Sequence, residues 1–295
     1  MNNKVKDRLA TASFWAGAGL VICVLGGLLG YILYHGAGAL DWHFITAPPE
    51  TFRSGGGVGP QLFNSFYMLV LTMLLTVPIG LLAGIYMAEY SHPGKITDTV
   101  RLSIEALTSL PSIVVGLFGL LIFVNMTGWG YTLLSGALAL TVINLPLVVR
   151  ISEEALRSVP HELREASLAL GADRWQTICF VILPSALPGL ITGIIIAAGR
   201  VFGEAAALLF TAGMSSPALD WSQWWNLFHP GSPLNPFRPA ETLAVHIWKV
   251  NSEAVIPDIR RVADGASALL VFVVITFNVA ARALARAVSR RLQGT

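Results

Sequence analysis

Three groups of residues in this 295-residue chain have types and spacings that could do chemistry. Arg200 and Glu204 stand four residues apart inside an apolar run, so a continuous helix puts them one turn apart on one face, about midway along a span. A charge near the bilayer centre costs from ~3 to more than 10 kcal/mol, so it has to meet a partner or a water-filled path. Two readings stay open. In one, the pair is structural and fixes helix packing. In the other, Arg200 offers its planar fork of donors to a translocating oxyanion, while Glu204 holds the guanidinium and accepts a proton from the protonated anion. Thr108, Ser109 and Ser112 crowd around Pro111, where their hydroxyls could meet a hydrated ion or satisfy carbonyls released by a proline kink. The third group, Glu165-Ala166-Ser167 followed by Gly171, combines a small helical residue with a glycine turn. That suits entry into a partner's cleft, and it equally suits a plain surface loop.

Other chemistry is excluded by what the chain lacks. No G-x-x-x-x-G-K-[ST] phosphate loop occurs, and the Gly94-Lys95 pair is followed by Ile96, so this chain is not expected to hydrolyse ATP itself or to carry a cofactor. His35, His43, His92, His161, His229 and His246 include no His-x-x-x-His pair, and none falls in mid-span, which argues against an intramembrane hydrolase. Cys23 and Cys179 suggest neither a disulfide framework nor a metal site. A net charge of +2 gathers no nucleic acid.

The elements that position these groups are membrane helices. Only 12% of residues are charged against roughly 25% in an average soluble domain, 54% are apolar, and mean hydropathy is +0.66. Apolar windows near the ~20 residues needed to cross the hydrocarbon run over Ser13–Tyr34, Ser65–Ala88, Leu102–Val124, Thr132–Val149, Leu187–Phe210 and Ala266–Val288. The expectation is an all-α polytopic membrane protein with six transmembrane helices. The first window exceeds the 7–15 apolar residues of a secretory signal, so it reads as a retained anchor. With the N-terminus inside, thirteen of the nineteen Lys and Arg fall on the cytoplasmic side or at its membrane boundary, which places both termini there. Pro78, Pro111, Pro146 and Pro188 imply bent bundle helices, and Gly80/Gly84 and Gly189/Gly193 imply close helix contacts with unnamed partners.

The resulting division is an anchor and first outer loop over 1–63, a membrane core over 64–288, and a tail over 289–295. Within the core lie a cytoplasmic loop (150–185) and a long outer loop (211–265). The outer loop holds Trp221, Trp224, Trp225, Phe228 and Trp248, suited to the lipid interface or to an external partner. In the cytoplasmic loop, Glu153 to Leu170 reads as one polar helix and Trp175 to Leu183 as a second, joined at Gly171-Ala172-Asp173.

Glu165-Ala166-Ser167, Gly171 after three residues and Val181-x-Leu183-Pro184 after nine more resemble the EAA loop of ABC-importer permeases, with Ser167 for Ala and Val181 for Ile. The resemblance implies a type I (MetI-like) permease core, with Glu165, Ala166 and Gly171 carrying the contact with a cytoplasmic ATPase. Pro111-Ser112-Ile113-Val114-Val115-Gly116-Leu117-Phe118 and Arg200 to Gly213 resemble segments of phosphate permeases, and Leu208–Ala212 favours the PstA type. Ala205 and Ala207 stand where that pattern has Thr and Pro. The implied assembly lies in a bacterial inner (plasma) membrane and contains a PstC-type companion permease, a PstB-type ATPase that uses ATP and magnesium, a PstS-type external binding protein and membrane lipid, and it imports inorganic phosphate. Alternatives are a permease for phosphonate, molybdate or sulfate, an intramembrane enzyme, and a passive channel.

Overall fold

In hydrocarbon, each backbone polar group has to be satisfied within its own segment, so long apolar windows become helices. The computed structural model describes residues 3–50, 53–253 and 257–293, and among these the chain is helical with no strand. α1 (Asn3–Gly36), α2 (Gly59–Tyr90), α3 (Lys95–Thr108), α4 (Ser112–Met126), α5 (Leu133–Arg157), α6 (His161–Ala169), α7 (Arg174–Gly203), α8 (Ala206–Leu209), α9 (Leu243–Glu253) and α10 (Ile259–Gln293) follow in order. Five helices are long and apolar enough to cross a membrane, or six crossings if the bent pair α3–α4 counts as one.

α5 is the central helix, and both GxxxG pairs pack on it. A methyl added at Gly80 would meet Val148, and one at Gly84 would meet Ser152; equal steps in the same direction make α2 and α5 parallel. Gly193 lies against Ile151 and Gly189 against Ala155, so stepping forward on α7 steps back on α5, and the two are antiparallel. The glycines bring backbones close where hydrocarbon supplies no hydrophobic drive between helices. Thr76 and Thr141 add an interhelical hydrogen bond of 3.3 Å. α1 stays outside this packing: its apolar window has no buried residue, and at its end Gly36 lies against Asp264 and Ala268 of α10.

Four expected segments differ. The window Leu102–Val124 is not one straight span, because α3 and α4 meet at 96°. Pro111 has no N–H to donate and disfavours helical backbone at Leu110, so the chain turns there. The polar helix expected from Glu153 to Leu170 breaks for the same reason at Pro160: α5 ends at Arg157 and α6 starts at His161. The segment Trp175–Leu183 is the first part of the 30-residue α7 and not a separate surface helix. It widens into a π-helical stretch over Ile178–Ile182, just ahead of Pro184, whose ring does not fit a regular turn. The outer loop is also shorter than expected, since α9 and the start of α10 lie within 211–265.

Candidate functional site

One end of the bundle is formed by α6 and its connections. α6 stops through a left-handed glycine: Gly171 has φ +91°, its N–H bonds to Leu168 O at 3.0 Å, and the N–H of Ala172 bonds to Ser167 O at 3.3 Å. Those two bonds are the Schellman pattern, which satisfies carbonyls that the helix end would orphan. α7 then starts with a capping box. Gln176 N donates to Asp173 Oδ1 at 2.7 Å, and Asp173 N to Gln176 Oε1 at 3.0 Å. Ser167, the residue that departs from the EAA pattern, shares a 2.9 Å hydroxyl contact with Thr177 across the turn.

This stop-and-start turn holds α6 with one face outward. Glu165 and Ala166 are exposed, Glu165 sits 3.5 Å from His161, and Leu170 is 89% exposed beside Leu168 and Trp175. The structure therefore brings Glu165, Ala166 and Gly171 together on one ridge. Arg164, not singled out from sequence, points the other way. Its Nη2 lies 3.0 Å from Glu89 Oε1 and 2.7 Å from Leu156 O, and its Nη1 lies 2.6 Å from Val159 O. Sequence offers only a weak signal for it, an arginine beside the EAA residues.

The membrane-embedded candidates come out differently. Arg200 lies in the last turn of α7, which ends at Gly203, and Glu204 is extended (φ −78°, ψ 121°). They are not on one helical face, and among the described residues no ion pair joins them. Glu204 instead accepts a hydrogen bond from Ala207 N at 3.2 Å and caps α8, because the short helix needs an acceptor at its start. Arg200 remains half-buried without a carboxylate partner among the described residues. At the α3–α4 bend, Thr108 donates to Ile104 O at 2.8 Å and Ser109 to Ala106 O at 2.7 Å, so both hydroxyls serve their own helix. Ser112 opens α4, half-buried. The two segments that resembled phosphate permeases meet, with Gly116 against Ala207 and Gly119 against Thr211.

At the other end, a polar cap seals the bundle. Arg238 is 2% exposed and gives Nη2 to Asn64 Oδ1 at 2.7 Å and to Pro233 O at 2.9 Å. Burial pushes the Arg238 pKa down to about 10, so it keeps its charge at neutral pH. Asn64 also donates to Ser216 Oγ at 2.6 Å and to Glu241 O at 3.0 Å. Glu241 lies 3.1 Å from Gln61 Nε2, 3.1 Å from His246 Nδ1 and 3.5 Å from Lys249 Nζ. Burial opposes its charge, but the His246 bond and charge, the Lys249 charge and the Gln61 bond together hold its pKa below the ordinary value of 4.5. In the sequence Asn64 reads as an interhelical hydrogen-bonding group at the start of a span, while Arg238, Glu241 and His246 show only as scattered polar positions in a proline-rich loop.

The family described as "Binding-protein-dependent transport system inner membrane component" matches residues 80–294. The "Probable ABC transporter permease protein YqgI" of Bacillus subtilis (strain 168) is 56% identical over 292 residues, covering 99% of both chains. The "Phosphate transport system permease protein PstA 1" of Mycobacterium tuberculosis (strain CDC 1551 / Oshkosh) is 32% identical over 310 residues, covering 99% of this chain and 92% of that one. Among solved structures, a chain of the MetNI methionine ABC transporter in an inward-facing conformation superposes with a TM-score of 0.55 at 23% identity, over 79% of this chain and 94% of that one.

Proposed function

We propose, from the premise that this chain belongs to the binding-protein-dependent transport system inner membrane component family, that it is the PstA-type subunit of an ATP-driven inorganic phosphate importer. Members of this family are non-catalytic, membrane-spanning components of ABC transporters. In this reading the α6 end faces the cytoplasm, both termini lie there, and the polar cap faces outward. A PstB-type ATPase that binds ATP and magnesium receives the α6 ridge. A PstC-type permease completes the path, and a PstS-type binding protein delivers the anion to the cap.

The observation that carries the coupling is the α6 ridge. A short helix that starts at Pro160 and is closed at its C-terminal end by the Schellman bonds presents Glu165, Ala166 and exposed leucines to whatever lies beyond it. Phosphate is favoured over other oxyanions by the name that the PstA relative bears. Arg200 supplies compatible chemistry, a guanidinium left without a carboxylate at the end of an apolar helix.

ATP-driven uptake of radiolabelled phosphate by the reconstituted complex tests this reading, with sulfate and molybdate as competitors. Phosphate taken up against excess sulfate supports it, and uptake abolished by sulfate or molybdate assigns the chain to another oxyanion. Arg200→Lys keeps the charge but loses the bidentate fork, so it loses most uptake while the protein still reaches the membrane. Near-normal uptake by Arg200→Lys removes this residue from the path. For sidedness, a cysteine at Ser54 or Gln223, both exposed, is labelled by an impermeant thiol reagent from outside, and one at Ser158 is not.

A further inference from the structure

An ATPase that moves α6 changes the membrane path only if α6 is rigidly joined to the crossing helices. On the α7 side the capped turn and the buried Ser167–Thr177 contact make that join; the join to α2 and α5 is made by one side chain. Arg164 of α6 reaches Glu89 Oε1 with Nε at 3.3 Å and Nη2 at 3.0 Å, and Glu89 sits in the widened last turn of α2. The same guanidinium donates to Leu156 O and Val159 O, carbonyls at the C-terminal end of α5 and just beyond it. The side chains of Arg164 and Glu89 are only 13% and 14% exposed.

A second arginine reinforces the same place. Arg157 of α5 donates to Met87 O at 3.1 Å and lies 3.0 Å from Glu153, which also pairs with Arg101 of α3 at 2.7 Å. The end of α2 is thus gripped by α5 through Arg157 and by α6 through Arg164.

We propose that Arg164 is the positioning residue that transmits movement of the docking helix α6 to α2 and α5, through its simultaneous hold on Glu89 and on the carbonyls of Leu156 and Val159. This rests on the reading that α6 docks on an ATPase. A planar fork with fixed donor directions spans a carboxylate and two carbonyls at once; an ammonium carries the same charge but cannot hold all three in one geometry.

The experiment uses the complete reconstituted complex with Arg164→Lys, Glu89→Gln and the double variant, and reads bound ATPase, ATP hydrolysed and phosphate moved. The expected result is normal ATPase retention with phosphate moved per ATP reduced about tenfold in each single variant, within the range by which such mutations alter coupling. The double variant is no worse than either single one, because both break the same joint. A fault of folding alone lowers the amount of complex and leaves the ratio per ATP unchanged, and that result overturns the proposal. Loss of the ATPase from the variants also overturns it, because it makes Arg164 part of the docking surface. A wild-type complex that binds no ATPase sinks the docking reading itself, which is a different failure from intact coupling in the variants.

Discussion

The two ends of this molecule handle charge in opposite ways. At the cap, Arg238, Glu241, His246, Asn64 and Gln61 are almost fully buried, and each finds partners within the chain. At the α6 end, Glu165, His161 and Leu170 face outward, and the ion pair that ties α6 to α2, Arg164–Glu89, is largely buried. A buried network fixes one geometry and resists change, because each group left unpaired is costly. An exposed ridge tied to the bundle behind it is suited to being met and moved. The contrast separates a closed lid that holds the outer loop on α2 from an exposed ridge that, in the proposed function, receives the ATPase.

The largest effect that would sharpen this contrast is expected at the cap. Glu241→Ala leaves His246 Nδ1 and Gln61 Nε2 buried without their shared acceptor, a class of change that costs about 3–5 kcal/mol. Thermal denaturation of the purified complex should show a clearly lowered midpoint, with little protein recovered in the membrane. An unchanged midpoint would mean that the cap is not a single supported network.

Next comes Gly171→Val. Nothing lies within 4 Å of a Cβ built at Gly171, so the cost is backbone strain at φ +91° and not a clash. That strain is of order 1–3 kcal/mol, confined to the turn, so the chain inserts normally while phosphate uptake falls sharply. Gly171→Ala should lie between the two. Uptake equal to wild type in Gly171→Val would remove the turn from the mechanism.

A smaller effect follows from pH. The folded-state pKa of Glu241 is depressed, so its contribution is fully present above the ordinary carboxylate value and is lost as pH falls through the lower folded value. The midpoint of the wild-type complex should therefore hold steady from neutral pH down to about 5 and drop only in stronger acid. Glu241→Gln should flatten the part of that drop that comes from the cap. The smallest effect is at the ridge: His161 and Glu165 are 79% and 75% exposed, and His161→Ala should leave the melting midpoint unchanged because screened surface pairs contribute little.

Much of the fold is legible in the sequence because hydrocarbon imposes length and continuity. The helices appear as apolar windows, and the α6 turn shows as a glycine after Glu165-Ala166-Ser167 because a left-handed residue leaves that mark. Prolines are less transparent. Pro78 and Pro146 sit inside continuous helices, whereas Pro111 and Pro160 end them, and composition alone does not separate the two outcomes. Arg200 and Glu204 have helical spacing, yet the helix stops between them at Gly203. Arg164 and Arg238 stay hidden for another reason, since their partners Glu89 and Asn64 are brought near only by the packing of α2.

The most direct test of the account is ATP-driven phosphate uptake by proteoliposomes holding the complete complex, comparing wild type with Gly171→Val at equal amounts of inserted chain. The account predicts accumulation in the wild type that requires ATP on the α6 side and is largely lost in the variant. Uptake without ATP, or equal uptake by both proteins, would contradict it.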